Sequence, residues 1–310
     1  MKLTQILLEQ EGRPKALIMA GGAGAGKSYI LNKIDTKNIT QYNPDKYVED
    51  PESPMFNNLG AAAPMVKKDV LAAVEAKKSF IWDTTGRDIE TISKIQDEGY
   101  DVFVIMVYTH PIISFISNFE RSRAIPKSAV FSTWQQAYNL VDKYRDLLGK
   151  NFVLVSNLRG GEFDKKINDF NKAAQRGGEG ILQYLDTIIS KDPKKYQTTF
   201  SKPFDITDPE ALEAYEEETK SLKVDLDDES MVKQLKRHFM KAWEKKGVGP
   251  GRTSMEKKMA TIERTRDKAV GTNTKVMDGI ADMVTSSEFN KMLQPEKESV
   301  AISKANQFLA

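Results

Sequence analysis

Residues Gly21–Ser28 read GGAGAGKS and match the pattern G-x-x-x-x-G-K-S/T at every defined position. Such a segment works only where a buried strand ends in a glycine turn that opens a helix, so that the backbone can wrap an anion. The flanks agree: Ala16–Ala20 (ALIMA) is a short apolar run suited to a buried strand, and KSYILNKI after Gly26 reads as a helix start. Glycines let successive backbone N–H groups face phosphates, Lys27 has the reach for β- and γ-phosphates, and the Ser28 hydroxyl suits Mg²⁺. The expected nucleotide-binding set is Gly21, Gly22, Ala23, Gly24, Ala25, Gly26, Lys27, Ser28 and Tyr29, with ATP and Mg²⁺ as cofactors. The plain alternative is a glycine-alanine turn that merely joins strand to helix.

Strand and helix patterns alternate downstream. Ile39–Asn43, Ser79–Trp82, Asp101–Tyr108 and Asn151–Ser156 read as strands, the third of them central by its continuous apolar character. Helices are expected over 3–11, 61–77, 88–98, 111–122, 130–148 and 162–175, with Gly99 a natural C-cap. This alternation predicts an α/β fold: a parallel sheet covered by helices on both faces. Arg176–Gly180 (RGGEG) marks an expected boundary between a P-loop domain over 1–176 and a mostly helical region over 181–310.

The residues at strand ends decide the class. Ligands of such sheets lie beside the carboxyl ends of the strands. Asp45, in Tyr42-Asn43-Pro44-Asp45, stands there as a candidate general base for an acceptor hydroxyl, or as part of a helix-capping turn. Asp83 ends the next strand as a candidate metal residue with Ser28, holding a magnesium-bound water, or as a group that orients the acceptor, or as the N-cap of the helix that follows. Arg121 and Arg123, in FERSR, suit a segment that closes over the triphosphate and stabilises charge in the transition state. Arg87 is a weaker contact candidate, and His110, before Pro111, reads as a turn residue. Phe80-Ile81-Trp82-Asp83 is followed by two threonines, whereas a simple ATPase would be expected to place a water-activating Glu there. Asn32-Lys33-Ile34-Asp35 spells a guanine-reading motif but sits in the helix after the P-loop, where it is coincidence.

Together these residues resemble the small P-loop kinases that include zeta toxins and phage polynucleotide kinases. The shared features over about 15–150 are GGAGAGKS, Asn43-Pro44-Asp45, Asp83-Thr84-Thr85, the Gly99-Tyr100 turn, and the arginine segment running into Ile125-Pro126. The resemblance implies an ATP-dependent phosphotransferase with an alcohol group as acceptor, Asp45 as its base, Lys27 and Ser28 on ATP·Mg, and Arg121 and Arg123 on the γ-phosphate. Polynucleotide kinases usually carry an Arg three residues beyond the base, and here that position is Val48. The expected acceptor is a nucleic acid or nucleotide, DNA with a hydroxymethylated base included. Alternatives are a nucleotide sugar, as for zeta toxins, a nucleic-acid-associated ATPase, and a nucleotide-sensing interaction protein.

Composition removes other chemistries. With no cysteine and two histidines, disulfides, thiolate nucleophiles and His- or Cys-built zinc sites are out. No apolar run is long enough to span a membrane and the first residues do not form a signal peptide, so the expected setting is the cytoplasm, a phage-infected host included. The 46 basic and 44 acidic residues nearly cancel, but they segregate. Residues 205–230 hold eleven acidic and two basic side chains, and 233–268 hold twelve basic and four acidic. The basic stretch is a candidate nucleic-acid contact; a solvated helical surface is the plainer reading.

Overall fold

The computed structural model describes residues 12–36, 39–49, 59–121, 124–125, 127–196 and 274–310. The expected helix over 3–11, Arg123 and both charge blocks lie outside the described residues.

Five strands form one parallel sheet in the order β2-β3-β1-β4-β5. They are β1 (Lys15–Ala20), β2 (Thr40–Tyr42), β3 (Phe80–Asp83), β4 (Asp101–Tyr108) and β5 (Phe152–Ser156). β1 occupies the middle, with Ala16–Met19 in register with Phe80–Asp83 on one side and Lys15–Ala20 with Asp101–Met106 on the other. β4 is interior, paired to β1 and β5. β1, β3, β4 and β5 are apolar on both sides because both faces are covered. Ile18, Trp82, Val104 and Leu154 face one core, and Leu17, Ile81, Ile105 and Val153 face the other.

The first face carries α3 (Leu59–Glu75), α4 (Ile89–Asp97), α5 (Pro111–Phe119), α6 (Lys127–Tyr138), α7 (Val141–Leu148), α8 (Asp164–Ala174) and α9 (Gly177–Ile189). The segment 274–285, here α10, packs on the same side through Met277 and Ile280. The opposite face is closed by α1 (Lys27–Leu31), whose Ile30 and Leu31 are buried, and by α12 (Glu298–Leu309). The small side chains of Ala301 and Ala305 lie fully buried there, and Phe308 stacks on Phe103 at 5.3 Å. Two further short α-helices are α2 (Pro44–Glu49) before α3 and α11 (Ser287–Met292) before α12.

Three local details differ from the sequence expectation. α1 stops at Leu31, with turns over 32–34 where a longer helix was expected. The helix expected over 130–148 is two helices, broken at Asn139–Leu140, where Leu140 N–H turns back to the Ala137 carbonyl. Arg176–Gly180 is packed structure. Gly177 has φ 79° and starts α9, a Cβ on Gly178 would meet the Asp278 backbone N at 2.5 Å, and one on Gly180 would meet the Ala173 carbonyl O at 2.3 Å. These glycines serve close approach of α8, α9 and α10, a use that a Gly-rich stretch in sequence does not distinguish from a linker.

Candidate active site

The P-loop connects β1 to α1 at the centre of the sheet. Gly21, Gly24 and Gly26 have φ of 140°, 73° and 91°, conformations that side chains resist. Space forbids a side chain as well. A Cβ on Gly21 would meet the Val107 carbonyl O at 2.6 Å, and one on Gly24 the Ser114 carbonyl O at 2.5 Å.

A scaffold drawn from distant sequence holds this loop. Ser114 Oγ donates to the Ala23 carbonyl, and Asn157 Nδ2 donates to the Ala25 carbonyl at 2.9 Å. Gly22 N–H donates to the Tyr138 hydroxyl at 3.4 Å, and that hydroxyl donates to the Val107 carbonyl at 2.6 Å. Tyr138 is fully buried, and burial pushes its phenol well above the ordinary tyrosine range, so it stays a neutral strut. Sequence reasoning missed all three. Asn157 alone carried a signal, since it directly follows the carboxyl end of β5; Ser114 and Tyr138 lie inside helices with no motif.

Four of the charged residues singled out in the sequence converge beside the loop. Lys27 Nζ donates to the Gly21 carbonyl at 3.1 Å and lies 3.7 Å from Asp83 Oδ1. Asp83 ends β3, is only 7% exposed, and receives Asn43 Nδ2 on its other oxygen at 3.3 Å. Burial pushes the Asp83 carboxyl above the usual carboxylate range; Lys27 and Arg121 pull it down and Asp45 adds to the rise. Asp83 does not cap the next helix. Asp88 does so, accepting from Thr91 N–H at 3.2 Å. Burial opposes its charge, yet Lys67 at 2.6 Å and Thr91 hold its carboxyl below the usual range.

Asp45 lies in the first turn of α2, where Asn43 Oδ1 accepts its backbone N–H at 2.8 Å. Asn43 therefore provides the capping contact and also bridges to Asp83, while the Asp45 carboxylate pairs with Arg121 at 2.7 Å. Both Asp45 and Arg121 are part-exposed. Ser28 and Tyr29 are exposed at the start of α1. Tyr29 is 54% exposed, and Lys33 Nζ lies 3.8 Å from its ring centre.

The remaining candidates lie apart from this cluster or have structural tasks. Arg87 donates to Gln136 Oε1 at 3.2 Å. His110 caps α5, its Nδ1 accepting from Ile112 N–H at 3.3 Å, and its Nε2 meets Asn171 Oδ1 at 3.0 Å. Val48 is fully buried, so the position where polynucleotide kinases place an arginine faces the core.

The residues fit Mg²⁺. Among the described residues no group of three or more His, Asp or Glu forms a cage. Mg²⁺ in kinases needs little from the protein, since one or two protein oxygens join phosphates and water. Ser28, exposed at the start of α1, and Asp83, at the end of β3, are the two oxygen donors that the sequence singled out.

A parallel sheet, a glycine loop after the middle strand and acidic strand ends around its lysine define a P-loop kinase. The zeta toxin family model matches residues 2–144. The toxin–antitoxin system PezAT of Streptococcus pneumoniae is a structural neighbour, 18% identical with TM-score 0.39, covering 47% of this chain and 69% of that one. An AvrRxo1-ORF1:-ORF2 complex is 15% identical with TM-score 0.39, and the match covers 51% of this chain and 59% of that one. A kinase-like protein from Chloroflexus aurantiacus is 12% identical with TM-score 0.33, covering 53% of this chain and 97% of that one. No curated protein matches. Among the described residues no helix is long and apolar enough to cross a membrane.

Proposed function

We propose that this chain transfers the γ-phosphate of ATP to a hydroxyl group, with Asp45 as the general base. The observation that carries this reading is the gathering of Lys27, Asp83, Asn43, Asp45 and Arg121 at the carboxyl ends of β1, β2 and β3. The acceptor O–H gives its proton to the Asp45 carboxylate as its oxygen bonds to the γ-phosphorus. The bond from that phosphorus to the β–γ bridging oxygen breaks, and ADP leaves. Lys27 neutralises charge on the β- and γ-phosphates, and Arg121 stabilises charge spreading over the γ-phosphoryl oxygens. Ser28 and Asp83 would hold Mg²⁺, which supplies further charge neutralisation when bound. Arg123 keeps the phosphate-contacting role that the resemblance implies.

The acceptor class is open between a nucleic acid or nucleotide and a nucleotide sugar. The buried Val48 and the zeta toxin match favour the nucleotide sugar. The test is transfer from γ-labelled ATP with Mg²⁺ to five-prime-hydroxyl DNA and RNA, hydroxymethyl-base DNA, nucleosides and nucleotide sugars. One class should take label, and Asp45→Asn should cut that transfer by about 10²–10⁴-fold while ATP still binds. Label released only as free phosphate would overturn the reading in favour of an ATPase.

A further inference from the structure

The contact between Arg121 and Asp45 joins two residues that the proposed reaction needs for different partners. Asp45 must meet the acceptor hydroxyl, and Arg121 must meet the γ-phosphate. Here the Arg121 guanidinium donates to Asp45 Oδ2 at 2.7 Å instead. Lys27 lies beside Asp83 and Arg121 beside Asp45 in this arrangement.

Resting on the kinase reading, we infer that Arg121 is a nucleotide-operated latch on the base: it masks Asp45 until a triphosphate draws it away, so that nucleotide binding readies Asp45 for the acceptor. Two observations and the chemistry of the triphosphate support the exchange. The pair is part-exposed, 36% for Arg121 and 28% for Asp45, so solvent screens it and little is lost when it opens. A triphosphate brings several negative charges, and guanidinium–phosphate contacts are among the stronger charge-assisted hydrogen bonds. Arg121 also stands on a fixed base. Asn118 is fully buried and ties the two ends of this segment, donating to the Ile125 carbonyl at 2.8 Å and accepting from Ile125 N–H at 3.0 Å. Glu120 pairs with Arg159 at 2.7 Å, and Phe119 packs against Phe115 and Tyr196. These contacts hold the chain before Arg121, so the hand-over falls to the Arg121 side chain.

The consequence is that Asp45 opposes nucleotide binding by competing for Arg121. Calorimetry with a non-hydrolysable ATP analogue and Mg²⁺ on the full chain tests this with Asp45→Asn, Arg121→Met and the double variant. Asp45→Asn should tighten the analogue about two- to fivefold, the scale of a part-exposed ion pair. Arg121→Met should weaken it, and adding Asp45→Asn to Arg121→Met should then change little. Equal affinity in wild type and Asp45→Asn would overturn the latch. So would the same tightening with and without Arg121, because the effect would then be bare repulsion between Asp45 and the phosphates. Both failures leave the kinase reading standing. A wild-type chain that does not bind the analogue would sink the kinase reading and the latch together. Arg121→Lys, which keeps the charge, should fall between wild type and Arg121→Met if a variant needs a fold-neutral check.

Discussion

At the scale of single residues, the P-loop shows two independent constraints on one atom. Gly24 has φ 73°, and a Cβ there would lie 2.5 Å from the Ser114 carbonyl O. The second constraint is the harder one, because it sets backbone against backbone and no rotamer relieves it. Gly24→Ala should therefore cost about 2 kcal/mol or more and weaken nucleotide binding beyond detection by calorimetry. Lys27→Ala should also lose nucleotide but keep its fold, since Asp83 can take a proton when its cation leaves. Thermal melts of the two variants separate the cases: a large drop for Lys27→Ala and none for Gly24→Ala would reverse the assignment. The loop was legible in the sequence because its constraint is local and repeated in glycines. Ser114, Asn157 and Tyr138 were not, because any helix or loop can carry such residues and only the fold brings them to Ala23, Ala25 and Gly22.

At the scale of elements, α5 links the loop to the arginine that pairs with Asp45. Its Ser114 holds Ala23, and Arg121 follows its C-terminal end, so the placement of α5 matters to both. His110 sets its N-terminus as a neutral ring with Nδ1 accepting from Ile112 N–H. Burial lowers the His110 pKa from 6.5 to about 4, although the bond to Asn171 works the other way. The unfolded chain thus binds a proton below pH 6.5 that the folded chain refuses, and stability present above 6.5 is lost as pH falls toward 4. At about 1.4 kcal/mol per tenfold change in proton affinity, the loss is of order 3 kcal/mol when titration is complete. His110→Asn keeps a capping acceptor without the titration, so its melting temperature should fall less than wild type between pH 7 and 4.5. Parallel curves would remove His110 as the cause. The sequence placed His110 correctly as a turn residue beside Pro111, but not its partner, since Asn171 comes from a helix 61 residues away. Asp45 and Asp83 were readable for the reason His110's partner was not: strand ends announce themselves where an apolar run stops.

At the scale of the whole molecule, the helix Glu298–Leu309 packs on the sheet. The second face of β1, β4 and β5 is covered by α1 and by α12, which reaches the P-loop side through Lys33–Glu298 and through Asp35 N–H to Asn306 Oδ1 at 2.9 Å. The sequence did not show this, because α12 is a weakly patterned helix whose only buried residues are two alanines. Alanines matter there for what they lack: with Ala301 and Ala305 fully buried, the helix comes close to the strands and leaves no room for longer side chains. Ala301→Leu should therefore overpack and cost about 1–3 kcal/mol, and Phe308→Ala, half-buried on Phe103, should cost about 1–2 kcal/mol. A shared core also predicts one cooperative unit. Hydrogen exchange at 301–306 should be about as slow as in β1 and β4, and the ATP analogue should protect α12 along with the P-loop, because α1 lies between them. Fast exchange over 301–306 in an otherwise protected sheet would show that α12 docks loosely, and the second face would then be a surface that opens on its own.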